Sequence, residues 1–177
     1  MPDLLIIRPA TPADIPGLTV LINRAYRGAA SQRGWTTETH LFDGPRINEA
    51  ALRILIRTPF TRFWCCHEHQ RGLVGCVCLT RPLGDALYVS LLAVAPEAQA
   101  FGVGRRLLIH ADLQARHLKC IRIRMSVLAE RPDLLDWYGR RGYYQTGEVE
   151  DFPAGQGAGQ PRQALQLLTL EKPVSRA

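Results

Sequence analysis

The chain has 177 residues, enough for one ordinary domain and too few for two large ones. With 46% apolar, 21% charged and 7% aromatic residues, its composition excludes a disordered, collagen-like or low-complexity chain. Twenty-two Lys plus Arg against 16 Asp plus Glu leave a formal charge of +6, nearly all on arginine; the guanidinium fork suits phosphate and carboxylate, and a charge of this size does not specify nucleic acid.

Leu4 to Arg8 reads as a short strand. Thr11-Pro12-Ala13-Asp14 then supplies a capping hydroxyl, a first-turn proline and a first-turn acid ahead of Ile15, Leu18, Leu21, Ile22 and Ala25 at helical spacing. Residues 27–45 have no period, hold Gly28, Gly34 and Gly44, and read as a long loop carrying Trp35, Glu38, His40 and Asp43. A second helix through Ile47, Ala51, Ile54 and Leu55 stops before Thr58-Pro59. Residues 62–68 and 73–81 flank Gln70-Arg71-Gly72 as a hairpin, and Pro82 to Asp85 turns into a third strand, 86–95.

Residues 102–118 carry the strongest helical pattern, with Leu107, Leu108, Ala111, Ala115 and Leu118 on one face. Ile121, Ile123, Met125 and Val127 alternate with polar residues as in a half-covered strand. A short helix at 132–141 closes at Gly142, and strands 143–150 and 164–171 are joined by a loop through 151–159 that its glycines make flexible. The order βααβββαβαββ predicts one α/β domain over residues 1–177, its core at about 4–171, with a mostly antiparallel sheet and helices on both faces.

The start of the chain lacks the basic segment and apolar run of a signal peptide, and no stretch nears the ~20 apolar residues of a membrane span. Five cysteines (65, 66, 76, 78, 120) in apolar settings read as reduced thiols, so the expected location is cytoplasmic, away from membranes. Cys65, His67 and His69 with Cys76 and Cys78 lack a zinc spacing, and no metal is expected. His110 and His117 are read as surface residues.

Chemistry concentrates at Leu91 to Leu108. A buried strand enters a tight turn with Gly102 and Gly104, and a long helix starts there, aiming unpaired amides and the positive helix end at one spot suited to a diphosphate. A dinucleotide fingerprint would need a third glycine where Leu107 stands, and a P-loop would need Gly-Lys-Ser or Gly-Lys-Thr where Arg105-Arg106 stands.

In Val94, Pro96, Gln99, Gly102 and Gly104, in Trp137-Tyr138 followed by Gly142-Tyr143, and in the opening Ile7 to Asp14, the chain resembles the GNAT N-acetyltransferase superfamily. The resemblance implies acetyl-CoA as cofactor, with the backbone of Leu92, Ala93 and Val94 pairing to the pantetheine arm and the amides of Ala100, Phe101, Gly102, Val103, Gly104 and Arg105 holding the pyrophosphate. The family's usual Arg-Gly is Gln99-Ala100 here, and Arg105 or Arg140 could restore the missing charge. It further implies an oxyanion donor at the Val94 amide and a general acid at Tyr138, whose ordinary pKa of about 10 lies above that of a thiol. Seven residues before that tyrosine, where relatives commonly carry an asparagine, stands Arg131.

Trp35 and Glu38 fall where the family builds its acceptor wall, and Glu38 would suit a cationic amine. Glu38, Asp43 and Ser90, the last acting through water, are alternative bases. The expected activity is transfer of an acetyl group to a primary amine of a small molecule or peptide by direct attack in a ternary complex. A toxin-type enzyme acetylating aminoacyl-tRNA and a non-catalytic acyl-CoA sensor stay open, as does a homodimer.

Overall fold

The computed structural model describes residues 5–153 and 159–175, so Leu4, Ala154 to Ala158 of the expected flexible loop, and the last two residues lie outside it. In chain order the elements are β1 (Leu5–Pro9), α1 (Ile15–Tyr26), α2 (Gly28–Ser31), β2 (Phe42–Asp43), α3 (Glu49–Arg57), β3 (Thr61–Glu68), β4 (Gly72–Thr80), β5 (Ala86–Val94), α4 (Val103–His117), β6 (Arg122–Leu128), α5 (Pro132–Gly139), β7 (Tyr144–Asp151), β8 (Gln160–Pro161) and β9 (Gln166–Pro173). The expected order is present with three additions, α2, β2 and β8.

Seven strands form one sheet in the order β1-β3-β4-β5-β6-β9-β7. All neighbours are antiparallel except β5 and β6. α1 and α4 both pack on β4 and β5. Because β4 is buried at consecutive positions from Val74 to Leu79, the two helices must cover opposite faces. The stripe on α4 does this for one face: Val103, Leu107, Leu108, Ala111 and Ala115 are all buried. Each fully buried leucine there contributes about 1.5–3 kcal/mol. α4 lies so close to β4 that a Cβ on Gly75 would come within 2.8 Å of Val103 Cγ1.

Two features of β5 shape the rest. Its parallel pairing with β6 covers only Ala86↔Arg122 to Tyr88↔Arg124, after which the strands part. On the other edge, Cys76 faces Ala93 while Cys78 faces Ser90, so β5 carries one extra residue, and Leu91 takes a left-handed φ of 46°. Such a bulge bends the strand and sharpens its twist. The divergence of β5 from β6 thus coincides with a local kink, held where the Leu91 carbonyl accepts from Cys76 Sγ.

The long loop after α1 is not bare. α2 forms one short turn, and β2 pairs with β8 through Phe42↔Pro161, with Arg162 bonded to Asp43 at 2.6 Å. A small second core of Leu41, Phe42, Leu128 and Leu165 forms beneath this ribbon. His110 corrects an expectation: it is half-buried, its ring 4.1 Å from that of Trp64, because α4 is packed against the sheet on that side too. His117 is exposed as expected. Among the described residues, no helix is long and apolar enough to cross a membrane.

Candidate active site

Where β5 and β6 part, two clefts meet, and Tyr26, Leu92, Leu134 and Tyr138 line both. The first runs from the end of β5 to the start of α4. Val94, Gln99, Gly102, Gly104 and Arg105 form one side, Trp35 and Thr36 of the long loop another, and Trp137 and Arg141 of the α5 region a third.

The backbone of β5 has an unpaired edge here. Ala95 N–H donates to Val74 O at 2.9 Å and buried Ala93 faces Cys76, so both turn toward β4. By the two-residue alternation of a strand, Leu92 and Val94 turn the other way, into the gap that β6 has left. Their carbonyls confirm it by taking side-chain donors: Tyr26 Oη donates to Leu92 O, and Gln99 Nε2 to Val94 O at 3.1 Å. Of the three strand residues expected to face a ligand, two have that orientation and Ala93 does not.

The turn that follows gathers free donors. Gly102 caps α4 with a φ of 76°, a conformation that disfavours any side chain. Arg106 N–H is bonded to Gly102 O at 3.0 Å, whereas the amides of Gly102, Val103, Gly104 and Arg105 come too early in α4 for an intrahelical acceptor. Phe101 differs, since its N–H goes to Ala98 O at 3.3 Å. A Cβ on Gly104 would lie 3.4 Å from the Trp137 ring and 3.7 Å from Val94 Cγ2, so a larger residue would crowd the junction of α4, β5 and α5.

Cations collect at the same end. Arg141 lies 3.5 Å over the Trp137 ring and donates to Trp137 O at 2.6 Å. Burial first, then the neighbouring Arg140 and Arg105 charges, push its guanidinium below the ordinary value. An anion placed among these groups would relieve that repulsion.

Tyr138 is 8% exposed and set edge-on to Trp137 and Tyr143 at 4.9 and 5.7 Å. Its hydroxyl bonds to no other described residue. Burial pushes its pKa well above the usual tyrosine value, against the pull of Arg141 and Arg131. Tyr26 is likewise shifted up by burial. Both phenols therefore stay protonated through the neutral range.

The long loop is fastened to this site from two sides. Gln99 Oε1 accepts from Trp35 N–H and its Nε2 donates to Thr36 Oγ1, both at 2.9 Å. Arg131, buried, donates to the carbonyls of Trp35, Thr36 and Thr37 at 2.9, 3.3 and 3.2 Å while forking onto Asp133. Trp35 then rests 5.8 Å from Trp137 and stays 40% exposed.

The second cleft holds Ser90, exposed on β5, and Glu38, which is buried and paired with Arg27. Arg27 in turn lies 4.2 Å over the Phe42 ring. Arg46, Tyr88, Met125, Leu128, Phe152 and Leu167 complete much of its wall. Asp43 stands outside both clefts, in its ion pair with Arg162. Sequence reasoning did not assign Tyr26, Arg46 or Arg141 to the site: Arg141 stands at a variable position of the Trp137 to Tyr143 pattern, and Tyr26 and Arg46 lie outside the matched patterns. Asp14, Cys65 and His67 have ligand atoms within 4.8 Å of one another, but both Asp14 oxygens already accept from Arg8.

Residues 59–145 match the family model described as Acetyltransferase (GNAT) domain. Two curated relatives, the amino-acid acetyltransferases of Neisseria meningitidis serogroups A and B, are each 34% identical over 87 residues, which is 49% of this chain and 19% of theirs. The chain thus spans about a fifth of their length. Among solved structures, the ribosomal-protein-S18-alanine N-acetyltransferase of Escherichia coli superposes with a TM-score of 0.70 at 16% identity, covering 98% of this chain and 96% of that one. A structure described as a putative phosphinothricin N-acetyltransferase gives 0.69 at 15% identity, covering 98% and 100%.

Proposed function

We propose that the chain is a GNAT-type, acetyl-CoA-dependent N-acetyltransferase acting on a primary amine, a reading supported by the family-model match over residues 59–145. The observation that carries this reading is the junction of an open β5 edge, at Leu92 and Val94, with the uncapped amides that begin α4.

The residues present fit acetyl-CoA. An extended amide-bearing arm can add as a strand along Leu92 and Val94, and a diphosphate can take the amides of Gly102 to Arg105 with Arg105 and Arg141 beside them. Gln99, fully engaged by its neighbours, supports the loop instead of a phosphate, and Phe101 has no amide to give. When bound, acetyl-CoA supplies an activated acyl group and leaves as a thiol.

The chain's own groups do the rest. The Val94 N–H is oriented to donate to an oxygen in the gap, and Trp35 with Trp137 narrows the access of water. Tyr138 holds a proton at Oη for the departing sulfur and recovers one from the attacking amine through water, so the phenol is restored each turnover. The amine enters by the second cleft, which meets the first at Tyr26 and Tyr138.

Calorimetry with acetyl-CoA, followed by thiol release across a panel of amines, tests the proposal. Micromolar binding that is lost in Gly102→Glu, with release for some amine, is the expected result. Binding without release from any amine would instead support an acyl-CoA sensor, and steeply salt-dependent binding of tRNA would favour an aminoacyl-tRNA acceptor.

A further inference from the structure

Building on the transferase reading, we propose that the second cleft selects an acceptor whose amine is accompanied by a carboxylate, an α-amino acid with an apolar side chain, and that Arg46 binds the carboxylate. The cleft's charges decide its preference. Its described lining contains Arg27, Arg46 and one acid, Glu38. Glu38 is buried against Arg27, which neutralises the one group that could have attracted a cationic amine.

Among the described residues of the cleft, Arg46 is left as the charge with no acid beside it. It is half-buried on the cleft wall, and no described carboxylate pairs with it. Its backbone is pinned, since Arg46 N–H donates to Asn23 Oδ1 at 2.7 Å, and its guanidinium lies 5.9 Å from the centre of the Tyr26 ring. Tyr26 stands at the junction of the two clefts, so a carboxylate on Arg46 holds an adjacent α-amine toward that junction. Phe42, Met125, Leu128, Phe152 and Leu167 give the side chain an apolar wall. A half-buried arginine with no described carboxylate beside it has the most to gain from an anion of this shape.

The test compares leucine with leucinamide and phenylalanine with phenylalaninamide, with spermidine as a multiply charged cation. The amide's amine is the less basic and deprotonates more readily, so intrinsic reactivity favours the amide and any preference for the acid reads the cleft. Expected is a kcat/KM at least about 10-fold higher for the acid, a ratio that falls below about twofold in Arg46→Gln and is largely kept in Arg46→Lys. Equal use of acid and amide, a preference for spermidine, or an unchanged ratio in Arg46→Gln would overturn the proposal. If no amine releases thiol, the transferase reading fails. The carboxylate site is then read by calorimetry with N-acetyl-leucine and N-acetyl-leucinamide: tighter binding of the acid, lost in Arg46→Gln, upholds it, and equal binding refutes it.

Discussion

Gly34→Ala should change the sign of its effect according to what stands at position 99. A Cβ built on Gly34 falls 2.5 Å from Gln99 Oε1, 2.8 Å from Nε2 and 2.9 Å from Cδ, so the amide must leave its place. It is held there by Trp35 N–H, Thr36 Oγ1 and Val94 O at 2.9, 2.9 and 3.1 Å. Three bonds at a net of 0.5–1.5 kcal/mol each, partly replaced by water at this half-exposed position, amount to about 2 kcal/mol. Gly34 is not in the left-handed region, so alanine also restricts the unfolded chain and returns about 0.5 kcal/mol. The wild type should therefore lose about 1.5 kcal/mol, while a Gln99→Ala background should gain about 0.5. Urea unfolding of the two single variants and the double variant measures the coupling directly. An equal loss in both backgrounds would refute the reasoning.

Three further outcomes follow from the same geometry. Tyr138→Phe should lower kcat about 100-fold with acetyl-CoA affinity within twofold, and because burial raises the phenol's pKa, the wild-type rate should show no loss from this group below pH 10; an unchanged kcat would remove Tyr138 from the chemistry. Arg131→Ala leaves three loop carbonyls and Asp133 without their donor and should cost about 2–4 kcal/mol, whereas Arg53→Ala, which breaks only an exposed pair with Glu49, should cost under about 0.5; comparable melting shifts would contradict the difference. The hydrogen bonds from Arg8, and after them those from Thr11, hold the Asp14 carboxyl well below the usual carboxylate range. Its contribution is present above the unfolded value near 4 and is lost as pH falls through the folded pKa, so the stability gap between wild type and Asp14→Asn should shrink from pH 6 to pH 3 in parallel denaturation curves.

The elements legible in the sequence were those whose signal is local. α4 shows its buried stripe in Leu107, Leu108, Ala111 and Ala115, and the β3–β4 hairpin shows its turn in Gln70-Arg71-Gly72. What escaped depends on partners far along the chain. Phe42 becomes a strand residue because Pro161 lies opposite, and His110 is shielded because Trp64 does, neither of which has a trace in periodicity. The bulge at Leu91 is invisible in an apolar run whose side chains give no hint of a left-handed φ. The same holds in the site: Trp35, Gln99, Gly102, Gly104, Arg105 and Tyr138 do converge on one cleft, yet Tyr26, Arg46 and Arg141 gain their significance only from what lies beside them.

Gln99 shows how a departure from a family pattern can be understood once the fold is known. The position must satisfy an acceptor, Val94 O, and a donor, Trp35 N–H, at once. A carboxamide offers both kinds of group, while a guanidinium offers donors alone. An arginine here could serve a phosphate, but it would leave the Trp35 amide without its acceptor and loosen the loop that carries Trp35 and Thr36 into the first cleft. On the transferase reading the two tasks have been divided. Gln99 ties the loop to the end of β5, and the positive charge for the diphosphate comes from Arg105 and from Arg141, whose charge already opposes that of its arginine neighbours and is relieved when an anion arrives.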